Sequence, residues 1–105
     1  MSDIYRVACA AGFSGDRLGV AKPLVDELLR LGGPSCLIFE SLAERTLALA
    51  QLERRQNDHL GYEPLLQEMI EPILAECVQG GIPIVGNFGA ANPHAAAKCI
   101  SEIAK

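Results

Sequence analysis

The run CLIF at residues 36–39 restricts the fold of this chain more than any other stretch. It is apolar without interruption, it has the length of a strand, and it ends abruptly at Glu40. Such a run is typical of a strand that is covered on both faces, as the strands of a parallel sheet are. It therefore predicts a buried strand between layers of helices.

Two further strand-like runs and four helical segments give the order β-α-β-α-α-β-α. The strand-like runs are 4–10 and 82–85, and Pro83 limits the second to the start of a strand or a sheet edge. Apolar residues recur at helical spacing within 21–29, 66–77 and 96–103, a further helix follows residue 41, and Pro72 should kink the third helix. Right-handed crossovers turn this order into an open, Rossmann-like three-layer α/β unit, with a short parallel sheet of about three strands and helices on both faces.

The length of 105 residues fits a single α/β domain, residues 1–105, with one small core. Its last helix ends at Lys105, where a unit of this kind would normally continue into another strand. Three expectations stay open at this point. The chain is the N-terminal part of a larger architecture, or a small subunit whose sheet a second polypeptide completes, or a minimal domain that forms a homo-oligomer.

Composition and charge exclude several classes of partner. No apolar run approaches the roughly 18 residues that span a bilayer. Met1-Ser2-Asp3 leads into a strand-like run without the basic region of a signal peptide. We therefore expect a cytoplasmic protein without a membrane partner. The net charge of -4 leaves no basic stripe for nucleic acid. The four cysteines lack C-x-x-C spacing and are expected to be buried thiols, and the two histidines lack metal-spaced partners, so we expect no metal site.

Polar residues gather in the three segments that follow the strands. Ligands bind at the carboxyl ends of the strands in open parallel sheets, so we expect these segments to face one shared hollow that takes a small anionic ligand. No dinucleotide fingerprint or P-loop is present, and no cofactor is evident. The residues concerned are Gly12, Ser14, Gly15, Asp16 and Arg17 in the first segment, Glu40, Ser41 and Glu44 in the second, and Asn87, Gly89, Asn92 and His94 in the third.

Each of these segments also has a purely structural interpretation. Gly12 and Gly15 suit a phosphate held at the start of the next helix, or a tight turn in which Asp16 is the N-cap and Arg17 lies at the surface. Glu40 is an acid or base if burial raises its pKa, or a solvated loop carboxylate.

Helix capping explains other polar residues of these segments. Ser41 and Glu44 have the spacing of a capping box, and Asn92 is a good N-cap with Pro93 at the first helical position. His94, near the same helix start, is biased toward its neutral form, which suits a hydrogen-bonding or proton-transfer group.

Four stretches of the chain resemble the N-terminal part of the acyclic terpene utilisation protein family. They are GFSGDR at 12–17, FESLAERT at 39–46, GYEPLLQEMIEPIL at 61–74 and NFGAANP at 87–93. The resemblance departs from the family pattern at Ser14, where an aromatic residue is usual, and at Gly89-Ala90, where a Gly-Gly pair is usual. It implies a role in the bacterial breakdown of acyclic terpenes and branched acids through CoA thioesters. The site residues that it implies are Gly12, Phe13, Gly15, Asp16, Arg17, Glu40, Glu44, Asn87, Gly89, Asn92 and Pro93.

Two functional hypotheses follow. In the first, the chain is a catalytic segment acting on acyl-CoA thioesters or branched acids. Arg17 binds a carboxylate or phosphate, and the helix start at 92–94 receives an anion. Asp16 or Glu40 is the acid or base, with Glu44 as a further candidate. In the second, the chain is a non-catalytic binding or assembly module that docks onto a larger partner subunit through exposed sheet edges and apolar helix faces.

Overall fold

A computed structural model describes residues 4–105 and contains a three-stranded parallel sheet. The strands are β1 (Arg6–Ala11), β2 (Ser35–Phe39) and β3 (Ile84–Gly86), in the order β1-β2-β3. The predicted α/β class and the short parallel sheet are therefore confirmed. The N-terminal residues 1–3, on which the expected location partly rests, lie outside the described part of the chain.

Five α-helices lie within the described residues. They are α1 (Ala21–Leu31), α2 (Glu44–Gln56), α3 (Leu66–Ile70), α4 (Leu74–Gly80) and α5 (Pro93–Ala104), and a 3₁₀ turn, Leu18–Val20, precedes α1. The sequence predicts one kinked helix where the structure has α3 and α4. Pro72 lies between them, and a proline has no amide hydrogen to continue the helical ladder.

The core lies between one face of the sheet and the helices. Leu37, at the centre of β2, is completely buried, and its sheet neighbours Ala8 and Ile84 pack against the same cluster. The helical layer supplies the other large buried side chains, which are Val25, Leu66, Ile70, Ile73 and Cys77.

The opposite face of the sheet is uncovered in the described chain. Val7 is 60% exposed and Val85 is 55% exposed. Their partners on the central strand, Cys36 beside Val7 and Ile38 beside Val85, are half-buried. The sequence predicts helices on both faces, and the structure has them on one. The strand order explains this difference, because crossovers of the same hand that advance in one direction place every connecting helix on the same side. The smallest dimension of 22 Å suits one sheet with a single helical layer.

The cysteines follow the same division between the two faces. Cys77 in α4 is buried, as predicted, whereas Cys9 in β1 is exposed because its side chain lies on the uncovered face. Cys36 and Cys99 are half-buried. Within residues 4–105, no helix is both long and apolar enough to cross a membrane.

Candidate functional site

Hydrogen bonds join the segments that follow β2 and β3. The side-chain amide of Asn87 donates to both carboxylate oxygens of Glu40, at 3.0 Å each. Its carbonyl oxygen Oδ1 accepts from the backbone amide of Ser41 at 2.9 Å. Asn87 therefore holds residues 40 and 41 against the carboxyl end of the sheet, where the sequence predicts a site.

Glu63 joins the first and third segments, and sequence reasoning missed it. Ser14 Oγ donates to Glu63 Oε1 at 2.8 Å, and the Glu63 backbone amide donates to the carbonyl of Phe88 at 2.8 Å. Glu63 is only 5% exposed, so its side chain is largely buried. It lies in the stretch GYEP, which the family resemblance covers, but no periodicity singles out this position.

A cavity of about 110 Å³ opens between α2 and the carboxyl ends of the strands. Its wall is mainly apolar. The Phe88 ring packs edge-on against Phe39 of β2, with ring centroids 6.1 Å apart, so the aromatic part of the wall is fixed to the sheet. The apolar part of the lining includes Leu42, Leu49, Ala50, Tyr62 and Phe88, and the polar part consists of Ser14, Ser41, Thr46, Glu53 and Glu63.

Ser41 is one of the lining residues, and its side-chain oxygen is buried. The residue is 5% exposed, and its Oγ has no hydrogen-bond partner among residues 4–105. The predicted capping box is wrong: α2 begins at Glu44, and Thr46 Oγ1 accepts from the Ala43 backbone amide at 2.6 Å. The Ser41 backbone amide donates to Asn87 instead, which holds Ser41 at the sheet edge, and the helix starts later.

In the first segment, Asp16 closes its own loop. Its carboxylate accepts from the backbone amides of Gly12 at 2.9 Å and Arg17 at 2.8 Å, and Gly15 has a φ of 86°, which favours glycine. Asp16 is not the N-cap of α1, because the 3₁₀ turn intervenes and the helix begins only at Ala21. The two amide donors, together with the Arg17 charge, hold the pKa of the Asp16 carboxyl below its usual range.

Glu40 is exposed, and the desolvation that would raise its pKa is outweighed by its hydrogen bonds. The hydrogen bonds from the Asn87 side chain and from the Leu42 amide, at 2.8 Å, lower the pKa of Glu40 instead. This environment suits a carboxylate that accepts hydrogen bonds. Glu44 is exposed as the first residue of α2 and does not line the cavity.

The start of α5 faces a different hollow. Asn92 Oδ1 accepts from the Ala95 amide at 3.3 Å with Pro93 at the first helical position, as predicted. The Asn92 amide group donates to the carbonyls of Asp58 and Leu60, at 2.9 Å each, so its hydrogen-bonding capacity is used within the chain. His94 is exposed and lines an open groove of about 380 Å³ together with Asn92.

The predicted site residues do not line one shared hollow. Some line one of three hollows, and six line none of these three, namely Gly12, Glu40, Glu44, Asn87, Gly89 and Pro93. Ser14 and Ser41 line the cavity beside α2, and Asn92 and His94 line the open groove. A third hollow, of about 10 Å³, is bounded by Phe13, Gly15, Asp16 and Arg17, and also by Glu63, which it shares with the cavity.

The segment after β3 turns tightly, and its backbone favours the Gly-Gly pair from which this chain departs. A Cβ atom at Gly89 would come within 3.0 Å of Pro93 Cα. The next residue, Ala90, has a φ of 49°, a left-handed conformation that glycine adopts at much lower cost than alanine. A Gly-Gly pair would therefore suit this turn better than the Gly89-Ala90 of this chain.

Among residues 4–105, no three histidine, cysteine, aspartate or glutamate side chains are arranged to hold a metal ion. A family model described as "Acyclic terpene utilisation family protein AtuA" matches residues 5–105. No curated protein and no solved structure matches the chain. The match covers the cavity and all three strands, and it confirms the resemblance drawn from the sequence motifs.

Proposed function

Because the chain belongs to the acyclic terpene utilisation family, we propose that it is the N-terminal segment or a subunit of a catabolic enzyme acting on acyl-CoA thioesters or branched acids. Family membership supports a role in acyclic terpene utilisation. The observation that carries the finer proposal is the mainly apolar cavity of about 110 Å³ at the carboxyl ends of the strands. Ligands of open parallel sheets bind at this edge.

The cavity receives the apolar end of the acyl group. It is smaller than an engineered apolar cavity of roughly 150 Å³ that binds benzene. It therefore takes one short branched end of a ligand, and the rest of the molecule, including any CoA moiety, lies outside. Leu49 and Phe88 provide apolar walls on opposite elements, the helix α2 and the segment after β3.

The anionic end of the ligand lies toward Arg17. Arg17 is exposed and bounds the neighbouring hollow, which shares the lining residue Glu63 with the cavity. Asp16 and Glu40 hold the loops that frame the site, because their carboxylates already accept backbone or side-chain amides. Guanidinium groups suit carboxylate and phosphate ligands.

The proposal is tested by ligand-dependent thermal stability of the chain. 3-Methylbutanoyl-CoA should raise the melting temperature more than CoA alone, since binding to the folded state raises apparent stability. Leu49→Asp should remove the difference between the two ligands, whereas Leu52→Asp, on the same helix and 54% exposed outside the cavity, should keep it. Equal stabilisation by both ligands in the unmodified chain would overturn the proposal.

The uncovered sheet face favours a second candidate, a non-catalytic assembly module that docks onto a larger partner subunit. Three short strands span only about 300 Å², well under the roughly 800 Å² per partner of a stable interface, so neither a second copy nor a larger subunit would bind stably through this face alone, and the partner must also contact other surfaces of the chain. The occupant in this proposal is a helical layer of a larger subunit that covers Val7 and Val85. Cross-linking from Cys9, which is exposed on this face, would identify that subunit in the intact assembly.

A further inference from the structure

The cavity beside α2 has two acidic lining residues and no basic one. Glu53 and Glu63 line it, and none of the described lining residues is lysine, arginine or histidine. None of the ion pairs within residues 4–105 includes either glutamate. The negative charge of the cavity wall is therefore left without a direct counter-charge in the described chain.

Burial makes this charge unfavourable at Glu63, which is 5% exposed. The hydroxyl of Ser14, a residue that also lines the cavity, donates to Glu63 Oε1 at 2.8 Å. Ser14 is neutral, so this hydrogen bond positions the carboxylate without neutralising it. Glutamate is almost never buried to this extent unless it is paired, because an unpaired charge is strongly disfavoured in a protein interior. A positive group of a ligand in the cavity would supply the counter-charge.

Glu53 adds a second negative charge from α2. The residues of α2 that line the cavity have the spacing i, i+3, i+4, i+7, which places them on one face of the helix. They are Thr46, Leu49, Ala50 and the half-buried Glu53. Coulomb attraction acts over several ångströms at the reduced dielectric of a partly enclosed site, so a cation in the cavity need not contact either carboxylate.

The rest of the lining suits a cation that carries alkyl groups. Its apolar part includes Leu42, Leu49 and Ala50. Tyr62 and Phe88 supply aromatic rings, which attract cations as well as packing against hydrocarbon. The volume of about 110 Å³ limits the ligand to a short branched group. We propose that the cavity binds a small branched alkylammonium ion, a class of ligand that goes beyond the proposed function and competes with the acyl end for the same space.

Three probes with one branched skeleton test this inference: 2-methylpropylammonium, 2-methylpropan-1-ol and 2-methylpropanoate. Each is titrated into the full chain while the backbone amide signals of Ala50 and Phe88 are followed by NMR. The ammonium ion should bind about tenfold more tightly than the alcohol of the same shape, and the carboxylate should bind more weakly than the alcohol. Added salt should weaken binding of the ammonium ion but not of the alcohol.

Variants that remove one charge assign this preference to the two carboxylates. Glu53→Gln keeps the shape of the side chain and breaks no side-chain hydrogen bond or ion pair within residues 4–105, so it should fold. It should reduce the preference for the ammonium ion over the alcohol roughly threefold, and Glu63→Gln should reduce it at least as much. Glu44→Gln, on the same helix but exposed and outside the cavity, is the matched control and should leave the preference unchanged.

Equal affinity for the ammonium ion and the alcohol would overturn this inference. A preference that survives both Glu53→Gln and Glu63→Gln, or that falls equally in Glu44→Gln, would also overturn it. Stabilisation by 3-methylbutanoyl-CoA decides the proposed function separately, because a cavity without this preference can still take an uncharged acyl end.

Discussion

Asn87 donates its side-chain amide to both carboxylate oxygens of Glu40 and so ties the end of β3 to the end of β2. The same side chain accepts from the Ser41 amide, which fixes the start of the cavity wall. The site edge thus depends on one amide that can donate and accept simultaneously. Its geometry places Ser41 in the cavity rather than at the cap of α2.

Acid should weaken this connection. The pKa of Glu40 is lowered by its hydrogen bonds, so its stabilising contribution is complete above the ordinary value of 4.5 and is lost as the pH falls through the lowered pKa. Asn87→Ala removes the main cause of this shift. Urea unfolding between pH 7 and pH 3 should therefore show a smaller acid-dependent loss of stability in Asn87→Ala than in the unmodified chain, and parallel curves would contradict the assignment.

Ser41→Ala should leave the free energy of unfolding unchanged or raise it by about 1 kcal/mol, because the buried hydroxyl has no partner in residues 4–105. Ser14→Ala is the matched control. It removes the donor to the buried Glu63 and should lower stability by about 1 kcal/mol. Chemical denaturation measures both values, and destabilisation by Ser41→Ala as large as that by Ser14→Ala would show that Ser41 has a structural partner.

Ala90→Gly should stabilise the chain by roughly 0.5 kcal/mol. The left-handed conformation costs alanine about 1–2 kcal/mol, and the greater chain entropy of glycine offsets part of the gain. Ala91→Gly should instead destabilise the chain by about 0.5–1 kcal/mol, since Ala91 is buried and is not in the left-handed region. The difference in melting temperature between these neighbouring variants checks the turn geometry, and the same sign for both would refute it.

The one-sided sheet predicts unequal tolerance on its two faces. Val7→Thr, at a side chain that is 60% exposed, should change the free energy of unfolding by less than about 0.5 kcal/mol. Leu37→Ala, at a fully buried side chain, should cost about 2–5 kcal/mol. Similar losses for both, measured by urea denaturation, would indicate that the face bearing Val7 is covered.

Local signals predicted the features that depend on neighbouring residues. The apolar run at 36–39 gave β2, and Asn92 followed by Pro93 gave the capped start of α5. The covered and uncovered faces could not be predicted in this way, because they follow from the strand order, which no local pattern encodes.

Only part of the site was predicted, because local patterns mark some of its residues and not others. The rim at the strand ends is marked by polar residues, and Ser14 and Ser41 do line the cavity. Glu63 was missed because its importance arises from contacts with residues 14 and 88, which are far away in sequence. The predicted capping box is absent because the Ser41 backbone amide donates a hydrogen bond to Asn87, and this long-range contact outweighs the local preference of Ser41 for a helix N-cap.

The most direct test of the proposed site is to map which backbone amides change on saturation with 3-methylbutanoyl-CoA. The account predicts that the largest NMR shifts fall on the cavity wall, at Leu49, Ala50 and Phe88, and that Leu49→Asp abolishes them. Saturable shifts confined to the groove around His94, or unchanged binding by Leu49→Asp, would contradict it.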